Sequence, residues 1–339
     1  MSVTHTPGCA CGIDVHAHVI PHDLPRYMGN HMPADWPSMA PAQACHRHVI
    51  IKGSVYRTVC ERAWSASRRV EDMAPMGLAV QAISPMPELL SYWMDAKSAA
   101  QLLRYMNEQI AEMAALSGGR LVGMGAVPLQ DVDLALAELD YLAGRLGFKA
   151  IEVGSNINGK AVGSPEFAPF FAACAEKGVA VFVHALKPAG VDRLVGPDKL
   201  LPALAYPTDV GLAAASVLTS NLIGRHPDLK MAFSHGGGTL ASLLPRLEQA
   251  RQVFPALRDA MPESPSDQAR RLFYDTLVFD APTLRHLVDR FGASQLMIGT
   301  DYPFAFHDAR PVDGIAAAIV DADVRGQLVT HNASRFLGL

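Results

Sequence analysis

The sequence predicts an α/β fold, a single (β/α)8 TIM barrel with a long loop insertion after its first strand. Eight apolar segments of strand length recur along the 339 residues, and helical patterns lie between most of them. Several of these strands end in a histidine or an aspartate. Alternating strands and helices predict a parallel sheet, and eight such units fit one barrel of about 250 residues plus insertions. We therefore take residues 1–339 as one domain, with an open doubly wound sheet as the alternative.

The strand candidates are continuous apolar runs, which is typical of strands buried on both faces of a parallel sheet. In order they are Ile13–His16, Ala79–Ser84, Leu121–Val127, Phe148–Val153, Val179–His184, Lys230–His235, Leu272–Asp275 and Leu296–Asp301. The helical patterns cover Arg68–Met76, Lys97–Leu116, Val132–Leu146, Pro165–Glu176, Gly211–Gly224, Thr239–Val253, Ala281–Phe291 and Val312–Phe336. In a barrel the carboxyl ends of the strands form the active-site face, so residues that end strands are the first candidates for function.

Three of these strands carry residues that can bind a metal ion. His16-Ala17-His18 ends the first apolar run, and side chains two residues apart on a strand point to the same face, about 6.5–7 Å apart. His184 ends the fifth strand and Asp301 ends the eighth. These four residues would supply four ligands and leave a fifth position for water. Zinc suits this nitrogen and oxygen set, and Mn²⁺ is the alternative.

His235 ends the sixth strand and is followed by Gly236-Gly237-Gly238. Three glycines leave space for a substrate to approach closely. A histidine beside a metal-bound water, whose pKa the metal lowers toward 7, is suited to moving protons. We therefore expect His235 to be catalytic rather than a plain ligand.

Composition excludes several classes of function. Only 18% of the residues are charged and the formal net charge is −4, so no basic surface for nucleic acid is predicted. No run of about 18 apolar residues indicates a membrane span, and the first residues do not resemble a secretory signal. Five cysteines at irregular positions do not form a disulfide framework. We expect a cytoplasmic protein without nucleic-acid or membrane partners.

Residues 19–65 separate the first strand from the first helix and are rich in proline, histidine and aromatic residues. Loops of this length are usually functional, and this one would rise from the active-site face. We interpret it as an active-site insertion or lid, with a small packed subdomain as the alternative. Lys52, Arg57 and Trp64 lie inside it and are candidates for substrate binding.

The motifs around the candidate site resemble those of the amidohydrolase-related metal-dependent decarboxylases. The specific ones are Ile13–His18, Val183-His184, Phe233–Gly238 and Gly299–Phe304. The resemblance extends over nearly the whole chain. It includes Val80–Ser84, Ser91–Trp93, Val127–Gln130, Gly147–Gly154 and Asn332–Leu337. It implies a zinc-dependent, non-oxidative C–C lyase acting on a carboxylated muconate semialdehyde or a related aromatic-catabolite acid.

The same resemblance implies roles for individual residues. The zinc ligands fall on His16, His18, His184 and Asp301, and the catalytic histidine, which helps activate the metal-bound water, falls on His235. Asp301 then counts as a catalytic residue as well as a ligand. Arg57 matches an arginine that holds a substrate carboxylate, and a guanidinium fork suits that task. Lys52 sits where the family often has a basic residue, and Phe304 closes the last motif.

Arg246 matches an arginine that reaches into the neighbouring subunit's site, so the resemblance implies a homodimer. The sequence also departs from the family pattern. After the third metal histidine the family usually has Pro-Trp-Asp, whereas this chain has Ala185-Leu186-Lys187-Pro188. Lys187 is either a cation that binds an anionic group of a different substrate or a solvated loop lysine. The departure leaves the metal chemistry in place and the substrate open.

Two other functions compete with decarboxylation. The same metal site could hydrolyse a small amide or lactone, or hydrate a ring-cleavage acid. A barrel that binds a metal only for structure or sensing is the non-enzymatic alternative. Structural zinc sites are closed and usually rich in cysteine, whereas this set has no cysteine and has a spare histidine. The sequence therefore favours an enzyme.

Overall fold

A computed structural model describes residues 11–197 and 199–339 of the chain. The strands are β1 (Gly12–Asp14), β2 (His18–Val19), β3 (Ser38–Pro41), β4 (His46–Ile51), β5 (Ser54–Cys60), β6 (Leu78–Pro85), β7 (Leu121–Ala126), β8 (Ala150–Gly154), β9 (Asn156–Ile157), β10 (Lys160–Ala161), β11 (Ala180–His184), β12 (Met231–Phe233), β13 (Phe273–Asp275) and β14 (Leu296–Met297). The α-helices are α1 (Ala66–Met73), α2 (Ala96–Ala115), α3 (Val132–Tyr141), α4 (Ala168–Lys177), α5 (Tyr206–Thr219), α6 (Leu222–Arg225), α7 (Leu240–Val253), α8 (Pro255–Ala260), α9 (Pro265–Ala269), α10 (Ala281–Phe291), α11 (Pro311–Ala318), α12 (Ala322–Gly326) and α13 (Asn332–Leu337).

Eight of the strands form one parallel sheet in the order β1-β6-β7-β8-β11-β12-β13-β14. Neighbouring strands pair in parallel at each step of this order. The first and last strands also meet, because the backbone N–H of Val15 donates to the Ile298 carbonyl at 2.9 Å. A parallel bridge between Asp14 and Ile298 adds to this closure. The predicted (β/α)8 barrel is therefore confirmed.

The two-residue period of the strands divides their side chains between the inside and the outside of the barrel. On β11, Phe182 belongs to the inner buried cluster, whereas Val181 and Val183 pack outward with residues of the helices. His184 continues the inward series at the carboxyl end of the strand. Phe336 of α13 joins the same inner cluster, so the C-terminal helix covers one end of the barrel.

The insertion at residues 19–65 contains regular secondary structure. Strands β3, β4 and β5 form a three-stranded antiparallel sheet within it. Lys52 and Gly53 connect β4 to β5 with φ values of 54° and 71°, as in the two-residue turns that suit hairpins. Arg57 shares a face of β5 with the buried Val59, so the sheet turns Arg57 toward the protein interior.

Two of the barrel strands that carry candidate site residues end earlier than predicted at the carboxyl side. β12 ends at Phe233 and β14 at Met297, so His235 and Asp301 lie beyond the last paired residues. Both residues have positive φ values, 54° for His235 and 63° for Asp301. Positive φ is uncommon outside glycine and occurs often at functional sites. Here it turns the chain out of the ladder at the barrel mouth. The C-terminal region predicted as one helix is divided into α11, α12 and α13.

One continuous helical segment, Leu201–Thr219, is long and apolar enough to cross a membrane by length and composition alone. It begins with the π-helical turn Leu201–Ala205 and continues as α5. Val210, Ala214 and Val217 on α5 are buried in the core between the barrel and its helices. Packing against the barrel accounts for these buried side chains, whereas Leu204 and Leu212 of the same segment are exposed.

Candidate active site

Four candidate ligand atoms meet at the carboxyl end of the barrel. The ligand atoms of His16, His18, His184 and Asp301 all lie within 4.8 Å of one another. Asp301 Oδ1 is 3.2 Å from His18 Nε2 and 3.5 Å from His16 Nε2. Ligands about 2.0–2.1 Å from a tetrahedral zinc ion would be separated by about 3.4 Å. The predicted ligand residues therefore come together with the spacing of a metal-binding set.

Each histidine of this set is oriented by a contact at its Nδ1 atom. The acceptors are Asp275 Oδ2 for His16 (2.7 Å), the Pro85 carbonyl for His18 (3.1 Å) and the Ala185 carbonyl for His184 (2.8 Å). Because these oxygens accept, Nδ1 carries the proton and Nε2 keeps its lone pair for a metal. The three Nε2 atoms and Asp301 Oδ1 are buried without a hydrogen-bond partner in the described part of the chain. A divalent cation would satisfy all four atoms.

Burial and mutual contacts set the charges of the ligand residues. Burial alone would lower the pKa of His16, but its hydrogen bond to Asp275 and the nearby Asp301 carboxylate raise that pKa to about 10. Burial, His18 and His16 together hold the pKa of His184 well below its ordinary value. Burial alone would raise the pKa of Asp301, yet its contacts with His16 and His18 hold it well below the usual range. The site therefore attracts positive charge, whether a proton or a metal ion.

Asp275, at the end of β13, forms hydrogen bonds with one histidine of this set and with the loop that follows β12. Its Oδ2 atom accepts from His16 Nδ1 and, at 2.9 Å, from the backbone N–H of His235. Its Oδ1 atom accepts from the backbone N–H groups of Gly236 at 2.8 Å and Leu277 at 3.1 Å. One carboxylate thus fixes both a candidate metal ligand and the loop that carries His235. The sequence interpretation missed this role, although Asp275 ends a predicted strand as Asp301 does.

His235 lies beside the ligand histidines. Its ring centroid is 5.4 Å from that of His16 and 5.3 Å from that of His184, and Tyr206 stacks on it at 6.2 Å. The Ser234 hydroxyl is 3.0 Å from its Nδ1 atom, which leaves Nε2 as the ring nitrogen available to a substrate. Burial and the neighbouring His16 lower the pKa of His235 to about 4. The imidazole is therefore neutral near pH 7 and can accept a proton.

A buried polar network lies beneath the site, and the sequence interpretation did not identify it. Arg69 is fully buried and donates to Gln81 Oε1 and to a backbone carbonyl of β2. Gln81 donates in turn to Asp14 Oδ2 at 2.9 Å. Asp14 Oδ1 accepts from the backbone N–H groups of His16 at 3.0 Å and Thr300 at 3.1 Å. The network therefore connects the two chain segments, near either end of the sequence, that carry candidate metal ligands.

Two predicted substrate-binding residues lie next to the ligand set. The Phe304 ring stacks on His18, with centroids 5.3 Å apart and an interplanar angle of 26°. The Arg57 guanidinium carbon lies 4.1 Å from the centre of the Phe304 ring. The antiparallel sheet of the insertion thus brings a guanidinium fork to the edge of the metal site. A substrate carboxylate bound there would meet two parallel donors.

Lys52 and Lys187 lie farther out, on one cavity of about 270 Å³. The other lining residues are Ile51, Tyr56, Glu88, Trp93, Pro188, Leu201 and Tyr206. The Lys187 ammonium nitrogen is 3.4 Å from the centre of the Trp93 ring. Burial and the charge of Lys52 lower the pKa of Lys187. Lys187 is thus held on an aromatic face beside the other lysine, although its side chain is largely exposed.

The remaining two predicted residues are not brought to the ligand set. Trp64 packs edge-on against His22 and lines a different cleft, which it shares with residues of α2. The backbone N–H of Ile20 donates to the Ala63 carbonyl at 3.0 Å, which holds the two ends of the insertion together next to Trp64. Arg246 is exposed on α7, at the outside of the barrel.

Three further pocket residues escaped the sequence interpretation. The Tyr206 hydroxyl is 3.5 Å from Glu88 Oε1, and the Tyr56 hydroxyl donates to the same oxygen. Glu88 lies on the 3-10 turn Pro87–Leu90 after β6, and Tyr206 begins α5. Neither residue ends a strand, so the pattern that identified the metal ligands does not point to them.

Comparison by sequence relates the chain to known proteins. Residues 13–339 match the family described as Amidohydrolase. The 2-amino-3-carboxymuconate-6-semialdehyde decarboxylase of Dictyostelium discoideum is 30% identical over 330 residues. That match spans 96% of this chain and 91% of the relative.

Comparison by structure identifies the same barrel in solved decarboxylases. The 5-carboxyvanillate decarboxylase of Sphingomonas paucimobilis has a TM-score of 0.77 at 22% identity, covering 97% of this chain and 99% of that one. A dihydroxybenzoic acid decarboxylase from a Polaromonas species, with bound manganese and the inhibitor 2-nitroresorcinol, has a TM-score of 0.71 at 23% identity. It covers 80% of this chain and 85% of that one. At these identities the structures show a shared fold.

Proposed function

Because the chain belongs to the amidohydrolase family, we propose that it removes carbon dioxide from a carboxylated muconate semialdehyde or a related aromatic-catabolite acid. It is a metal-dependent carboxy-lyase, and the reaction is a non-oxidative decarboxylation. The observation that carries the proposal is the convergence of four buried, unpaired ligand atoms next to His235. The decarboxylase from Dictyostelium supports it, because that match covers nearly all of both chains.

Zinc is the resident metal in this proposal, and manganese is the alternative. His16, His18, His184 and Asp301 would hold it, and their nitrogen and oxygen donors suit both ions. The bound cation would supply Lewis-acid polarisation of a water molecule or of a substrate oxygen. Manganese in the Polaromonas decarboxylase supports a divalent ion at this kind of site.

The chain's own residues handle the proton of the reaction. The bond between the carboxyl carbon and the rest of the substrate breaks, carbon dioxide leaves, and a proton takes its place on carbon. His235 moves that proton at Nε2, because its Nδ1 atom faces Ser234. Its lowered pKa keeps the ring neutral at pH 7, so it can accept a proton and return it. Asp301 stays ionised and serves the reaction as a ligand.

Arg57 and Phe304 orient the acid in this proposal. Arg57 lies over the Phe304 ring, which itself stacks on His18, so a carboxylate bound by the guanidinium lies close to the ligand set. Phe304 offers a flat apolar face to a conjugated or aromatic substrate. Lys52 lies farther out, where it can attract the acid into the pocket.

A homodimer would complete the site. Arg246 is exposed on α7, beside the exposed apolar side chains of Leu243, Val253 and Phe254. Apolar side chains grouped on a helix surface favour association with a second chain. We propose that this face packs against a partner subunit and that Arg246 enters the partner's pocket.

The test is carbon dioxide release by metal-loaded enzyme from 2-amino-3-carboxymuconate semialdehyde and from a panel of hydroxybenzoic acids. His235→Ala should lower the rate by about 10²–10⁴-fold with the metal retained, because it removes a proton-transfer group. His331→Ala, an exposed histidine on the outside of the barrel, is the matched control and should keep full activity. No release from any acid by fully metallated enzyme would overturn the proposal. Entry of ¹⁸O from labelled water into the product would indicate hydrolysis instead.

A further inference from the structure

Glu88 lies between two phenols at the outer wall of the pocket. Its Oε1 atom accepts from the Tyr56 hydroxyl and is 3.5 Å from the Tyr206 hydroxyl. Its Oε2 atom is shielded from solvent and has no hydrogen-bond partner among residues 11–197 and 199–339. The carboxylate thus has two phenols at one oxygen and no donor at the other.

This carboxylate faces the space that a substrate would enter. Glu88 lines the cavity of about 270 Å³ together with both tyrosines. Tyr206 stacks on His235 with centroids 6.2 Å apart, so the cavity adjoins the catalytic histidine. Tyr56 precedes Arg57, whose guanidinium carbon is 5.9 Å from the Tyr56 ring. A ligand held at Arg57 therefore extends toward Glu88.

An unpaired, solvent-shielded carboxylate oxygen is costly, because it has lost its water without gaining a donor. Two lysines line the same cavity, but no ion pair joins either of them to Glu88 in the described part of the chain. Lys187 instead places its ammonium over the Trp93 ring. Tyr56 is 43% exposed, so its side chain can move aside when a substituent of the substrate enters the cavity. A donor on the substrate would therefore relieve the unpaired oxygen.

We propose that Glu88 is a specificity-determining residue that binds a hydroxyl or amino substituent of the substrate, away from the carboxyl group that is lost. The inference rests on the proposed function, because it takes the acid at Arg57 as the substrate. A carboxylate accepts hydrogen bonds but cannot donate them, so it favours an amino group over a methyl group of similar size. The same charge disfavours a second carboxylate at that position.

The experiment compares 2-hydroxybenzoates that carry an amino, hydroxyl or methyl group at C4 or at C5. Dissociation constants are measured by titration calorimetry with metal-loaded protein, and carbon dioxide release is followed separately. At one of the two positions the unaltered protein should bind the amino probe about tenfold more tightly than the methyl probe. Glu88→Gln should abolish that preference. The amide oxygen of glutamine would accept from the tyrosines, so its NH2 group would face the amino group of the probe and could not accept from it. Glu176→Gln, at an exposed glutamate on α4, should retain it.

Tyr56→Phe keeps the carboxylate and removes one phenol, so the amino preference should persist or increase. This variant also tests the inference if Glu88→Gln does not fold. Equal or undetectable binding of the amino and methyl probes by the unaltered protein would overturn the inference, as would an unchanged ratio in Glu88→Gln. A preference that disappears in Tyr56→Phe would assign recognition to the phenol and overturn it too. If Glu88→Gln changes the ratio but neither the probes nor 2-amino-3-carboxymuconate semialdehyde release carbon dioxide, the proposed decarboxylation fails and the subsite stands.

Discussion

Asp275→Asn should weaken metal binding although residue 275 is not itself a ligand. The carboxylate receives four hydrogen bonds, two at each oxygen, and one of them fixes His16. Asparagine has a single acceptor oxygen. Whichever way its side chain is turned, its NH2 group faces two N–H donors and cannot accept from them. The His16 ring then loses its orienting acceptor, or the loop at Gly236 loses its own.

The magnitude follows from the kind of contact that is lost. Hydrogen bonds to a charged group contribute about 1.5–3 kcal/mol each. Removing the partner that orients a histidine ligand typically costs about 10–100-fold in metal affinity, or about 1.4–2.7 kcal/mol. Asp275 also raises the pKa of His16, so its loss weakens the competition of protons with metal. The metal affinity of the variant, relative to that of the unaltered protein, should therefore decrease as pH rises, because protons then compete less with the metal in both proteins.

The assay is a zinc titration against a chromogenic chelator at several pH values between 7 and 9. Asp289→Asn is the matched control, because Asp289 is an exposed aspartate on α10, away from the strand ends. A ratio of the two dissociation constants that does not increase from pH 7 to pH 9 would refute the reasoning, because proton competition at His16 falls over this range in the unaltered protein. Thermal unfolding of the metal-free variants separates lost affinity from lost fold.

Three other variants test the pocket, the buried network and the dimer. Arg57→Ala should raise KM for the acid about tenfold or more in steady-state kinetics, because it removes charge-assisted hydrogen bonds to a carboxylate. Arg69→Met should lower the free energy of unfolding of metal-free protein in urea by about 2–5 kcal/mol, because it leaves two buried acceptors unpaired at about 1–3 kcal/mol each. Arg246→Ala and His235→Ala subunits, inactive apart, should regain about a quarter of full activity when mixed, since half the dimers then contain one complete site.

For each of these variants, one outcome would contradict the prediction. An unchanged KM in Arg57→Ala would place the substrate carboxylate elsewhere. A loss below about 1 kcal/mol in Arg69→Met would show that the network around Gln81 and Asp14 reorganises without its arginine. Mixed subunits that stay inactive would place Arg246 outside the neighbouring site.

The grouping of the candidate metal ligands could be predicted from sequence because a barrel converts a local pattern into a spatial one. His184 ends β11 and Asp301 follows β14, and parallel strands of one barrel bring their carboxyl ends to the same mouth. The pattern extended to Asp275 as well, but a carboxylate that orients a ligand looks the same in sequence as one that binds a metal. The distance from Asp275 to His16 Nδ1 was needed to assign its role.

In the insertion, the directions of the side chains could not be predicted from the sequence. Its hairpin had one weak signal, the glycine of Lys52-Gly53, because glycine is common in two-residue turns. The direction of its side chains had no comparable signal. Trp64 packs against His22, whereas Arg57 reaches Phe304, and both outcomes depend on how the sheet docks on the barrel.

The sequence by itself determined the barrel and the grouping of four candidate ligands, His16, His18, His184 and Asp301, because both follow from strand periodicity and from the residues at or just after strand ends. Only the tertiary structure decided which groups surround the substrate. Glu88, Tyr56 and Tyr206 come from three separate connections between barrel elements, and they meet because those segments pack over one barrel mouth. Contacts between loops depend on packing across long sequence separations, and no local period in the chain records them.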